Sequence, residues 1–220
     1  LDHILDEGQR EAMLSRLDEL GLLAAIHPAL IWNAQIDKRF AALATASLDQ
    51  LSDLSGEMPM EIPARRLAYM VWMMGMPEAQ VQDVLNRLKY PAMQAQQVIA
   101  ACRLWKDLPS LRGLPPSKVV RRLDDVGGLP VLANCLTSQD SELSSILLEY
   151  LRVWRHIHPT INGFDLQKRG LKPGPAYRYI LGSLKDAWLD RKVTTSEEES
   201  VLYERLLLAA SADQIQIESE

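Results

Sequence analysis

At 220 residues, 47% hydrophobic and 24% charged, the chain holds enough apolar side chains to offset the entropy of folding, which excludes wholesale disorder. Eleven glycines and twelve prolines exclude a collagen-like or low-complexity chain, while Cys102 and Cys135, in no CxxC pair, exclude a disulfide framework and the usual structural zinc site. The net charge of −5 does not mark the chain as a whole as a binder of polyanions, and no apolar run reaches the roughly 20 residues of a bilayer span.

Almost every segment has helical period. Leu5, Met13, Leu14, Leu17, Leu20 and Leu22 recur at three- and four-residue steps, predicting a helix that runs to the Gly21 region, with His27-Pro28 as its exit. Phe40, Leu43, Leu48, Leu51 and Leu54 predict a helix over 36–54, closed by Ser55-Gly56. Pro63 suits the first turn of a helix over 65–74, and Gly75-Met76-Pro77 stops it before another at 78–88. Pro91 opens 92–108, Pro115-Pro116-Ser117 opens 118–125, and Gly127-Gly128 separates that from helices at 130–136 and 141–155. No stretch alternates with period two in Val, Ile and Thr, so the expected fold is all-α, a compact array of about ten short helices without a sheet. Trp32, Trp72, Trp105, Trp154 and Trp188 fall in apolar stripes and are assigned to the core. Met70, Met73, Met74 and Met76 crowd one helix end as gap-fillers.

Charge is segregated along the chain. Residues 1–60 carry 4 basic and 10 acidic side chains, residues 151–192 carry 9 and 3, and residues 193–220 carry 1 and 7. A +6 segment inside an acidic protein is either the footprint of a polyanion or a solvated face paired with the acidic segment after it. Glycine, proline and charge all change at 158–163, which sets a helical body at 1–158 and a helical tail at 159–220, with one continuous domain as the alternative.

No catalytic constellation is visible. His156 and His158 lack a third ligand at metal spacing, there is no nucleophile elbow, P-loop or GxGxxG, and Asp124-Asp125 is adjacent rather than Asp-x-Asp. No catalytic and no metal-binding residue is assigned. The tail is more informative. Gly163 and Asp165 start a one-turn helix that Gly170 ends, and Lys172-Pro173-Gly174-Pro175 feeds a long helix through Leu189. Pro175 suits the first helical position, and the amides after it favour an anion. Lys168, Arg169, Lys172 and Arg178 surround this turn, although a helix N-terminus disfavours cations, so the local conflict points to a bound phosphate. Thr194 or Thr195 with Ser196-Glu197-Glu198-Glu199 caps the last helix.

Gly163, Asp165, Leu166, Gly170, Pro173, Gly174, Pro175, Ala187, Leu189, Asp190 and Glu197 to Glu199 agree at fixed spacing with the tail of the class II CCA-adding enzymes and bacterial poly(A) polymerases, which residues 161–199 resemble. Residues 17–30 and 114–123, the latter with Pro116-Ser117, resemble the family's segment after its neck and the middle of its body. Tyr177-Arg178 replaces the usual Ile-Gly and Arg191 replaces the usual Gly, which is more similar to the long members that carry CBS and DHH modules. The resemblance implies a tRNA-binding module that grips tRNA, or another structured RNA, by its backbone while a catalytic head adds nucleotides to the 3′ end. That head, absent from this sequence along with its Asp-x-Asp, would bring Mg²⁺ and ATP or CTP, so the fragment itself is expected to be no enzyme and to need no cofactor. Its expected partners are the RNA and the head and other domains of a longer, cytoplasmic protein, with no membrane. The residues implied for RNA are Lys168, Arg169, Lys172, Gly174 and Arg178, then Arg152, Arg155, Lys185 and Arg191. The alternative is a structural module whose basic tail pairs with the acidic segment and touches no RNA.

Overall fold

The computed structural model describes residues 1–45, 64–171 and 173–217, the last eight of these by backbone alone. Among them are thirteen α-helices and no strand, which is the all-α fold the periodicity indicates. The leucine series expected to form one N-terminal helix is instead divided into α1 (Asp2–Asp6), α2 (Arg10–Glu19) and α3 (Leu22–Ile26). Gly21 makes the second break by adopting a left-handed φ of 70°, which a side chain would resist. Leu5, Leu14 and Leu23 are fully buried, whereas Met13, Leu20 and Leu22 are exposed. Spacing alone could not show this, because leucines on successive short helices serve one core as well as leucines on one long helix.

Asn33 caps α4 (Ala34–Thr45), its side chain accepting from the Gln35 and Ile36 amides at 3.0 and 2.9 Å. Leu48, Leu51, Leu54, Ser55-Gly56 and Pro63 lie outside the described residues. Then come α5 (Ala64–Met73), α6 (Glu78–Arg87) and α7 (Ala92–Asp107), followed by a 3₁₀ turn at Leu108–Leu111. Next are α8 (Pro116–Leu123), α9 (Gly128–Thr137) and α10 (Ser141–Arg152). The helix expected over 141–155 ends at Arg152, and a second 3₁₀ turn, Trp154–His156, takes its place. The chain closes with α11 (Gly163–Lys168), α12 (Pro175–Leu189) and α13 (Ser196–Ile217).

Contacts divide the chain into two units: Leu1–Gly113 with Arg122–Arg152, and Leu114–Arg121 with Val153–Glu220. In the first, α5 is the centre, and every residue from Leu67 to Met73 is buried. Trp72 lies edge-on to Trp32 and donates its indole N–H to the Ile31 carbonyl at 2.9 Å. Met70, Met73 and Met74 are buried as expected, while Met76 is half-buried. Of the five tryptophans only Trp72 is wholly enclosed; Trp32, Trp105, Trp154 and Trp188 are half-buried, as suits a ring with a polar edge. In the second unit Leu166, Ile180, Leu184, Tyr203 and Leu207 form a small core of α11, α12 and α13.

Candidate nucleic-acid interface

The second unit is held together by three carboxylates that the sequence motifs contain. Glu199, fully buried, accepts the Thr160 and Ile161 amides at 3.1 and 3.0 Å and also the Thr160 hydroxyl. Glu198 accepts the Thr194 amide and hydroxyl at 2.7 and 2.9 Å; these bonds, the amide first, hold its carboxyl below the usual range. Asp190 accepts the Ser117 amide and hydroxyl, both at 3.0 Å, and so ties the start of α8 to the end of α12. Beside it, Arg121 pairs with Asp186.

Burial pushes the Asp190 carboxyl up, but the Ser117 amide and hydroxyl and the Lys192 ammonium outweigh it and leave it below its ordinary value. A carboxyl depressed on folding stabilises the native state above its unfolded-state value and loses that contribution as pH falls through the folded one. Replacing Asp190 by Ala is therefore expected to cost about 1–2 kcal/mol near neutrality, as loss of a helix cap does. The gap to the unaltered protein should close as pH falls below about 4, which thermal denaturation at stepped pH would record.

The turn that carries the basic residues is equally defined. Asn162, rather than Gly163 or Asp165, is the N-cap of α11: its side chain accepts the Phe164 amide at 2.9 Å, and Asp165 accepts the Asn162 amide at 3.1 Å in return. That amide, with Lys168 adding, holds the Asp165 carboxyl below its ordinary range. Gly170, at φ 82°, ends α11, with the Gly170 and Leu171 amides bonded back to Gln167 and Leu166. The Tyr177 hydroxyl donates to the Leu171 carbonyl at 3.0 Å, and the Tyr177 ring lies 3.8 Å from where a side chain on Gly163 would begin. This fixes the end of α11 beside the first turn of α12, which has Pro175 at its start, no side-chain cap and no acidic residue.

The predicted residues are distributed as follows. Lys168 and Arg169 sit at the carboxyl end of α11, where cations suit the dipole, so only part of the inferred charge conflict exists. Lys168 lies 3.4 Å from the half-buried Asp165, and Arg169 pairs with Glu204 of α13; Lys168, Arg169 and Glu204 are well exposed. Arg178 is exposed in the first turn of α12, and Gly174 precedes it in extended backbone. Lys172 lies outside the described residues. Lys185 is half-buried seven residues after Arg178, hence on the same face of α12. Arg155 is half-buried in the 3₁₀ turn, and Arg152 ends α10 in the first unit, apart from the others in the grouping of contacts. Arg191, exposed, adopts a left-handed φ of 56° at the end of α12, with the Lys192 amide bonded back to Ala187 at 2.8 Å. That conformation costs an arginine about 1–2 kcal/mol, and it stands where the resembled family usually has Gly.

Two residues of the surface were passed over in the sequence. Phe164 is 75% exposed on α11 and Tyr179 is 60% exposed on α12. An apolar residue two positions after a cap would have been the only signal, and it reads equally well as core. Phe164 shares α11 with Lys168, four residues on, while Tyr179 follows Arg178 on α12, facing away from the side where Tyr177 meets α11. Among the described residues no group of three His, Cys, Asp or Glu could hold a metal ion. No helix among them is long and apolar enough to cross a membrane.

No family model and no curated protein matches the sequence. Solved structures do. The Thermotoga maritima CCA-adding enzyme complexed with tRNA aligns with a TM-score of 0.69 and 15% identity, over 95% of this chain and 50% of its own. A CCA-adding enzyme complexed with CTP gives 0.69 and 17% over 95% and 49%. One complexed with ATP gives 0.67 and 16% over 96% and 49%. The chain spans about half the length of these proteins, and at such identity the likeness is one of fold: this is the helical architecture found in about half of a CCA-adding enzyme.

Proposed function

We propose that the chain is the RNA-gripping helical module of a tRNA nucleotidyltransferase-like protein, with tRNA as its ligand. The observation that carries this reading is the joined α11–α12 turn, which carries the exposed Lys168, Arg169 and Arg178, in a fold shared with an enzyme solved in complex with tRNA. Lys172, Gly174, Arg155, Lys185 and Arg191 extend the grip, and Arg152 is a further contact. Recognition is of backbone shape and charge, as for double-helical RNA generally. The Arg169–Glu204 pair is exposed, worth under about 1 kcal/mol, and so yields readily to a phosphate. Nucleotide addition, with Mg²⁺ and ATP or CTP, belongs to a catalytic head in a longer parent; whether that parent is of the CBS- and DHH-bearing type is a separate question of its other domains.

The test is a salt titration of tRNA binding to the 220-residue chain. Replacing Lys168 and Arg178 together by Ala is expected to weaken binding at least tenfold near 0.1 M salt and to reduce the salt slope by about two. Arg191→Gly should weaken binding while raising thermal stability, since it relieves a left-handed arginine. An unchanged slope in the double variant overturns the site.

One observation favours a second reading. Arg169 with Glu204 and Arg121 with Asp186 already pair basic and acidic side chains within the unit, as a purely structural module would. Under that reading the chain binds no tRNA even at low salt.

A further inference from the structure

Arg39 poses a question that the RNA-binding reading leaves untouched. It is 9% exposed, in α4, and burial lowers its pKa with no carboxylate among the groups acting on it. A buried cation without an anion is costly, and proteins rarely keep one without use for it. A guanidinium carries five N–H donors. Nε donates to the Gln35 carbonyl at 3.4 Å and Nη1 to the Met74 carbonyl, while Nη2 has no acceptor among the described residues.

The same side chain lines a cavity of about 520 Å³ within the first unit, a size that suits a small organic ligand. Its walls are apolar where Met74, Trp105 and Leu143 contribute, and the Arg39 guanidinium lies 5.7 Å from the Trp105 ring centre. Lys38 adds a second cation at the rim. Asp140, the acidic residue there, is already taken by Arg112 and by the Leu143 amide at 3.1 Å, so it leaves the positive charge uncancelled.

We infer that this cavity is a binding site for a small organic anion, whose charged head sits on the Arg39 guanidinium and whose flat apolar body lies against Trp105. The site is independent of the tail and of RNA. A carboxylate head meets Arg39 through two N–H groups, and the planar body uses the wall that a bare inorganic ion cannot.

The probe is sodium benzoate, titrated calorimetrically into the full 220-residue chain, with inorganic phosphate as the comparison. Saturable benzoate binding, at least tenfold tighter than phosphate, is the expected result. Arg39→Met should abolish it. Lys38→Glu, at an exposed position that the fold does not need, should weaken it at least threefold and keeps the test valid if the Arg39 variant fails to fold. Benzoate should also raise the melting temperature of the unaltered protein, which a purely structural arginine would not cause. Absence of saturation up to tens of millimolar, phosphate binding as tight as benzoate, or binding undiminished in Lys38→Glu overturns the inference.

Discussion

Replacing Glu199 by Ala is expected to cost about 2–4 kcal/mol, because it empties a fully buried site and leaves the partly buried amides of Thr160 and Ile161 without their acceptor. That is a large share of the roughly 5–15 kcal/mol a domain commands. The Thr160 hydroxyl can rotate toward water, but the two amides cannot leave the loop that enters α11. Glu199→Gln should recover only part of the loss, since one of its two terminal atoms becomes a donor facing donors. Chemical denaturation gives the energy, and hydrogen exchange at Thr160 and Ile161 tests its location. The neighbouring Glu198→Ala, which removes an exposed cap, should cost far less. Equal costs at the two positions would refute the assignment of Glu199 as the anchor.

In the first unit the largest expected effect is at Trp72. Trp72→Ala should destabilise by about 3–5 kcal/mol, the range for emptying a large aromatic site. The enclosed ring loses its packing on Trp32, and the Ile31 carbonyl loses its indole donor. Trp72→Phe separates these contributions: it keeps an aromatic filling but not the donor, and should cost about 1–3 kcal/mol. If phenylalanine proves as damaging as alanine, the indole hydrogen bond outweighs the packing. The melting temperature and the denaturant midpoint both report the difference.

The residues differ in how much they disclose before folding. Helix and its punctuation were legible where the signal is local: Pro77, Pro91 and Pro175 stand where helices begin, and Gly170 where one ends. The split between α1, α2 and α3 was not legible, since the leucine spacing runs through Gly8 and Gly21 unbroken. The motif acids Asp190 and Glu199 could be recognised by their positions, yet what they do requires Ser117 and Thr160, 73 and 39 residues away. Arg169 met the same limit, because its partner Glu204 lies 35 residues along the chain. The candidate site was legible as a concentration of charge, whereas nothing in the sequence marked Phe164 and Tyr179 as exposed.

The hydrogen bonds from Ser117 to Asp190 bear on how such a module can be moved between proteins. Residues 114–121 group with 153–220, although the stretch between them in the chain groups elsewhere. A gene fusion that transplants only the C-terminal 68 residues, Val153–Glu220, takes Asp190 without the serine it holds and leaves Arg121 behind as well. Recombination at that apparent seam yields an incomplete part, so lineages that shuffle this tail are constrained to exchange the α8 segment with it, or to rebuild the clasp by paired substitution.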